Sequence, residues 1–239
     1  MNKPINKNLT ILNKIEKLEE IASIKKQLEL ISQIIQEGTI GEEALLNLLI
    51  NRRIIRKTTL MILDGCLFEA LILINHKIIK EKLSQFFPNG IIELKSSLSL
   101  NYQPLQKLLI EKQFQEADQL TQIYLCKLAG LEQNCIRNWL YFTDIALLPS
   151  EDLYIIDLLW RIYSQGKFGF SIQRKIWLAN DCNWEILWNK IGWKKQGNAC
   201  RYPGDFIWNI NGPPGHLPLF NQLRGMQVLS ALFAHIVWN

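Results

Sequence analysis

Apolar residues recur at helical spacing along almost the whole chain. From Leu9 to Glu37 they fall at Ile11, Ile15, Leu18, Ala22, Leu28, Ile31 and Ile35, with lysine and glutamate opposite. That is the pattern of an amphipathic helix. Gly38 and Gly41 punctuate it. A second helix is expected over Glu42–Arg56, with acids at its start and Arg52, Arg53 and Arg56 at its end, as the helix dipole favours. Thr58 and Thr59 are placed to cap an apolar helix reaching Ile74. His76–Phe87 follows and stops at Pro88-Asn89-Gly90. Residues 1–95 therefore read as a bundle of short antiparallel helices of armadillo or HEAT type, without a distinct sequence repeat.

Residues 96–103, SSLSLNYQ, are polar enough for a linker, and residues 104–239 read as a second domain. Pro104 opens a helix with Leu105, Leu108 and Leu109 inward. After a break near Phe114, Ala117, Leu120, Tyr124, Leu125 and Leu128 carry the helical spacing on to Gly130. Ser150 is a natural N-cap for a helix ending at Gly166, Ser171 for another, and Asp181 or Asn183 for a third. Gly192–Pro218 is too rich in Gly, Pro and Asn for a long helix. Met226, Leu229, Leu232, Phe233 and Ile236 make a closing helix. Arg201–Ile210 is the only strand candidate, so the expected fold class is all-α.

Composition adds limits. All eight tryptophans lie between Trp139 and Trp238, and of the eight prolines only Pro4 and Pro88 precede residue 100, so the two halves are built differently. The net charge of +5 is spread over both halves, which favours solubility over a nucleic-acid grip. The strongest apolar run, Leu60–Ile74, is interrupted by Asp64 and Glu69, whereas a membrane span needs about twenty cleaner residues. Cys66, Cys126, Cys135, Cys182 and Cys200 show no CxxC spacing, which argues against a disulfide framework and a structural zinc site. The first residues, MNKPINKNLT, lack the marks of a signal or transit peptide. Ile, Lys and Asn are frequent; their A/T-rich codons suit an organelle genome.

Four features carry candidate chemistry. Asp157 lies four residues before Arg161, the spacing of a helix-surface ion pair. His216, in Pro-Pro-Gly-His-Leu-Pro, can be a base, a ligand or a loop-fixing hydrogen-bond partner, and the last is favoured. Ser164–Ser171 lacks the order of a phosphate loop and reads as a tight turn with inserted aromatics. No catalytic motif is present. Finally, Trp193, Lys194, Lys195, Arg201, Tyr202, Phe206 and Trp208 interleave rings and cations, an arrangement for a single-stranded nucleic acid or for any flat anionic ring system.

Residues 104–239 resemble the genomes-uncoupled-four family. The matching stretches are Glu116-Ala-Asp-Gln-Leu-Thr121, Pro149-Ser-Glu-Asp-Leu-Tyr-Ile-Ile-Asp-Leu-Leu-Trp160, Ser164-Gln-Gly-Lys-Phe-Gly-Phe-Ser-Ile-Gln173, Ile191-Gly-Trp193 and Gly215-His-Leu-Pro218. A helical domain ahead of this core resembles the cyanobacterial and algal members. The resemblance implies an all-helical, cupped-hand core with long loops and a greasy palm for protoporphyrin IX and magnesium-protoporphyrin IX. It also implies contact with the large porphyrin-handling subunit of magnesium chelatase, peripheral membrane association, and a regulatory role without catalysis. It implies no intrinsic cofactor, no metal ligands and no nucleic-acid partner. A plastid location fits, in the chloroplast and encoded there, with the cyanobacterial cytoplasm as the alternative.

Site residues follow from the same resemblance. Trp139-Leu-Tyr-Phe142 matches a segment whose Phe lines the palm, which makes Phe142 a wall residue. Arg201-Tyr-Pro203 sits where many members have Arg-Trp-Pro, so Tyr202 is a conservative departure. Leu223-Arg-Gly225 matches a loop bearing a binding-site Arg, which makes Arg224 the leading polar contact. Where many members carry a second Arg, this chain has Gln227, which argues against a clamp of two guanidiniums. A porphyrin is an apolar disc with two propionates on one edge. Phe142, Tyr202, Phe206 and Ile207 offer apolar surface, worth about 25 cal/mol per Å2 buried, and Arg224 offers a planar fork for a carboxylate. The competing readings are a helical interaction scaffold without ligand and a nucleic-acid-binding regulator.

Overall fold

The computed structural model describes residues 4–95, 97–131, 137–219 and 226–238, with side-chain environments from residue 9 onwards. The chain divides into two compact units, Met1–Glu93 and Leu94–Asn239. The fold is all-α.

In the first unit α1 (Pro4–Glu20), α2 (Ile24–Ile35), α4 (Ile62–Leu73) and α5 (Lys77–Phe86) pack around α3 (Thr39–Ile50), which touches all four. The single helix expected over Leu9–Glu37 is two. Ser23 is extended, and the Gln27 side chain donates to the freed Ile21 carbonyl at 2.7 Å, so the break leaves that acceptor satisfied. Gly41 lies inside α3 instead of punctuating it. A Cβ there would sit 1.9 Å from the Ile34 carbonyl oxygen, so glycine sets the close approach of α2 and α3. Thr58 and Thr59 do not cap α4. Asp64 does so from within, accepting from the Met61 N–H at 2.8 Å, while the Thr58 hydroxyl bonds the Arg52 carbonyl. Beyond α3 one π-helical turn, Asn51–Ile55, carries the buried Arg52, whose Nε donates to Asp64 at 2.7 Å and whose Nη1 donates to Glu19 at 2.8 Å.

The second unit holds α6 (Gln103–Ile110), α7 (Phe114–Leu128), a 3-10 turn (Phe142–Leu147), α8 (Ser150–Tyr163), α9 (Phe170–Leu178) and α10 (Trp184–Lys190). Then come a hairpin of β1 (Lys194–Lys195) and β2 (Asn198–Ala199), α11 (Met226–Phe233) and a 3-10 turn (Ile236–Trp238). Arg201–Ile210 forms no strand; the hairpin just before it is the antiparallel pair among the described residues. Phe114 stacks on Trp160 at 6.0 Å between ring centres, with Phe168 edge-on to both. The Trp160 indole N–H donates to the Thr121 hydroxyl, which donates to the Ala117 carbonyl, so the centre of the unit keeps no bare polar group there.

Two carboxylates on α8 do work that short-range spacing hides. Asp152 is buried and accepts from the Ser99 N–H, the Ser99 hydroxyl and the Tyr102 hydroxyl at 3.0, 3.0 and 2.7 Å. The polar stretch expected as a linker is thus bonded to α8. Asp157 is also buried, not on a surface. Besides Arg161 it accepts from the Ser171 N–H at 2.8 Å and the Ser171 hydroxyl at 2.7 Å, and so caps α9 from a neighbouring helix. Ser150 and Ser171 are therefore not N-caps, whereas Asn183 caps α10 by accepting from the Ile186 N–H.

Candidate functional site

α7 sets the site. Its inward face, Phe114, Ala117, Thr121 and Leu125, is buried. The other face presents Asp118, Gln119, Gln122 and Ile123, and three loops hang from the first three of these. The Asp118 carboxyl accepts from the Leu219 N–H at 2.5 Å. The Gln119 amide donates to the Tyr202 hydroxyl at 2.9 Å. The Gln122 amide donates to the Asn138 carbonyl at 3.2 Å. Positions 119 and 122 are one turn apart, about 4.5 Å along the axis. The loop bearing Tyr202 and the segment leading to Phe142 are therefore held side by side, next to Ile123, which is 49% exposed.

Phe142 opens the 3-10 turn and is 51% exposed. The turn packs against α11, where Met226 and Gln227 are exposed, and Tyr141 and Leu147 add further exposed apolar surface. Asp144 fixes the turn by accepting from the Tyr141 N–H and pairing with Arg137 at 2.7 Å; the Arg137 guanidinium also lies over the Tyr141 ring. Partial burial works to raise the Asp144 carboxyl, but the bonds from Arg137 and the Tyr141 backbone hold it below its ordinary range.

The expected residues meet different fates. Tyr202 is 42% exposed, edge-on to Trp208 at 5.8 Å. Phe206 is only 6% exposed, its ring against His216 at 5.6 Å and Trp208 at 6.1 Å, so it props the loop from beneath. Ile207 is half-buried, and its N–H donates to His216. Arg224 lies outside the described residues.

His216 is buried with both ring nitrogens engaged. Nε2 accepts from the Ile207 N–H at 2.9 Å, so the proton sits on Nδ1, which donates to the Ile191 carbonyl at 2.6 Å. Burial lowers its pKa, and the ring is a neutral loop pin with no lone pair left for a ligand. The 164–171 turn receives the same loop. Gly169 donates to the Leu217 carbonyl, Gly215 to the Lys167 carbonyl, and Gln173 to the Gly215 and Pro218 carbonyls. The basic-aromatic loop spends its lysines internally, Lys194 on Glu185 at 2.6 Å and Lys195 on the Asp205 carbonyl at 2.7 Å. Among the described residues no cluster of His, Cys, Asp and Glu could hold a metal ion, and no helix is long and apolar enough to cross a membrane.

Sequence reasoning missed Asp118, Gln119 and Gln122. A signal existed: three polar residues share one face of the helix, two of them inside the Glu116–Thr121 stretch and Gln122 just after it.

The GUN4-like family model matches residues 95–236, and an ARM-like repeat domain of the GUN4 N-terminal type matches residues 6–88. The chain belongs to the GUN4-like family. The ycf53 protein of Porphyra purpurea is 46% identical over 94% of this chain and 96% of its own length. The chloroplastic tetrapyrrole-binding protein of Arabidopsis thaliana is 36% identical over 55% of this chain and 52% of its own length. The structure of GUN4 from Chlamydomonas reinhardtii superposes with a TM-score of 0.56 at 34% identity, covering 62% of this chain and 97% of that one. The GUN4-like match spans the three loops and α7, and the ARM-like match covers most of the first unit.

Proposed function

We propose that this chain binds a tetrapyrrole, protoporphyrin IX and its magnesium form, on the α7 face between the Phe142 turn and the Tyr202 loop, and that it stimulates magnesium chelatase without catalysis of its own. The observation that supports the reading is the hanging of three loops on one face of α7: the Tyr202 loop and the segment at Asn138, four residues before exposed Phe142, are bonded to neighbouring turns of the helix that carries exposed Ile123. An apolar disc gains from such surface. The related Arabidopsis protein is named for tetrapyrrole binding. Arg224, five residues beyond the Asp118-anchored Leu219 in the sequence, supplies the cation for a propionate, and Gln227 adds only neutral polarity. Phe206 and Ile207 hold the loop. Bound magnesium, a hard ion, takes an oxygen donor; His216, with both nitrogens engaged, is not its ligand. The partner is the large porphyrin-handling chelatase subunit, with peripheral membrane association, and the location is the plastid, as the red-algal and chloroplastic relatives suggest.

An absorbance titration of protoporphyrin IX with the full chain, followed by a magnesium chelatase assay with and without it, tests both halves. Saturable binding and a faster chelatase are expected. No saturable change removes the ligand, and an unaltered rate removes the activation. The ARM-like match favours one second reading, a helical scaffold without ligand; it predicts no spectral change.

A further inference from the structure

α8, α9 and the C-terminal turn line an open cleft of about 490 Å3 within the second unit. Tyr154, Asp157 and Arg161 line it from α8; Ser171, Arg174, Lys175, Leu178 and Ala179 from α9; and Val237 and Trp238 close it. The volume falls in the roughly 300–1,000 Å3 range of small-molecule sites. None of the tetrapyrrole residues proposed above lines it.

Its charges are asymmetric and fixed. Three cations face one acid, and that acid is spent: Asp157 is buried and already accepts from Arg161 Nε and from the Ser171 N–H and hydroxyl. Gly169 keeps the carboxylate in place, since a Cβ there would lie 2.8 Å from Asp157 Oδ1. Arg161 is thus tied at Nε to Asp157 at 2.7 Å, and Arg174 at Nε to the Phe233 carbonyl at 2.7 Å. The terminal nitrogens of both guanidiniums make no hydrogen bond among the described residues. Lys175 is exposed beside them. The apolar walls are ordered too: the Trp238 indole N–H donates to the Leu232 carbonyl at 2.6 Å. Guanidiniums immobilised at one nitrogen, with their outer donors open, are prepared for a bidentate oxyanion, and Tyr154, Leu178, Val237 and Trp238 suit a flat apolar body.

We propose that this cleft is a second ligand site, taking a small organic anion with a carboxylate or phosphate head on a flat apolar body. It does not rest on the tetrapyrrole reading. Isothermal titration of the full chain with 1-naphthoate, 1-naphthyl phosphate and uncharged 1-naphthol tests it. One saturable site is expected for at least one anion, and the better binder names the head. Arg174→Met and Lys175→Glu should each weaken it about tenfold, and 1-naphthol should bind at least as weakly as the anions bind those variants. Lys175 is exposed, so its variant keeps the fold, with circular dichroism as the check. Absence of saturation with both anions, affinity unchanged from wild type in both variants, or binding of 1-naphthol equal to that of the anions overturns the proposal. Loss of protoporphyrin binding in the same folded variants would make the cleft part of the tetrapyrrole site, which also overturns it.

Discussion

Asp118 is the residue on which the site's construction can be tested most sharply. Its carboxyl is buried on α7 and accepts from the Leu219 N–H, five positions before Arg224 in the sequence. Burial pushes its pKa from 3.8 up to about 8, against the opposing bond from the Leu219 backbone. The folded chain therefore holds a proton on Asp118 across that interval, while the unfolded chain has lost it. A state that binds the extra proton loses ground as pH rises, so this group lowers folding stability by about 1.4 kcal/mol per pH unit inside the window. Asp118→Asn copies the neutral carboxyl, keeps an acceptor for Leu219 and does not titrate. Urea unfolding of both proteins from pH 3.8 to about pH 8, the two ends of that window, should show near parity at the acid end. A growing advantage for the amide should follow toward the alkaline end. Asp118→Ala, which does not titrate either, should stay below Asp118→Asn throughout, by about 1–3 kcal/mol for the stranded Leu219 N–H. A difference between wild type and Asp118→Asn that does not change with pH would show the folded carboxyl to be ionised and would refute the reasoning.

Two further outcomes follow from buried groups. His216 is held neutral with its pKa lowered from 6.5, so its contribution is intact above that value and is lost as pH falls below it; His216→Gln should flatten the acid limb of a stability profile, and equal slopes would count against the pin. Arg52→Met strands the fully buried Asp64 and should cost about 3–5 kcal/mol in urea unfolding, recovered only in part by adding Asp64→Leu, which also removes the α4 cap; a loss under 1 kcal/mol, the scale of a surface pair, would mean that the pair is not desolvated.

What was legible in the sequence was whatever its neighbours in the chain decide. Helical periodicity, the Asn183 cap and the His216 loop pin depend on residues within a few turns or within one stiff loop. The misses share a cause. α9 is capped by Asp157 from a preceding helix, so Ser171 only looked like a cap. The break before α2 uses the Gln27 side chain, which periodicity does not register. Asp118 meets Leu219 across 101 residues, a pairing no local pattern contains. The family resemblance makes Phe206 apolar surface for the ligand, yet the loop folds on its own rings and holds Phe206 inside. Aromatic residues in such loops divide between wall and support, and only the packing separates them.

The central claim is that the α7 face is the floor on which a tetrapyrrole lies. Protoporphyrin IX titration of the full chain and of Ile123→Glu, read by tryptophan quenching, tests it most directly. Ile123 is 49% exposed, so the charge can be carried without unfolding, as helix content will confirm. A carboxylate under the disc should weaken binding at least tenfold through desolvation and repulsion of the propionates. Unchanged affinity in a folded Ile123→Glu chain would contradict the account.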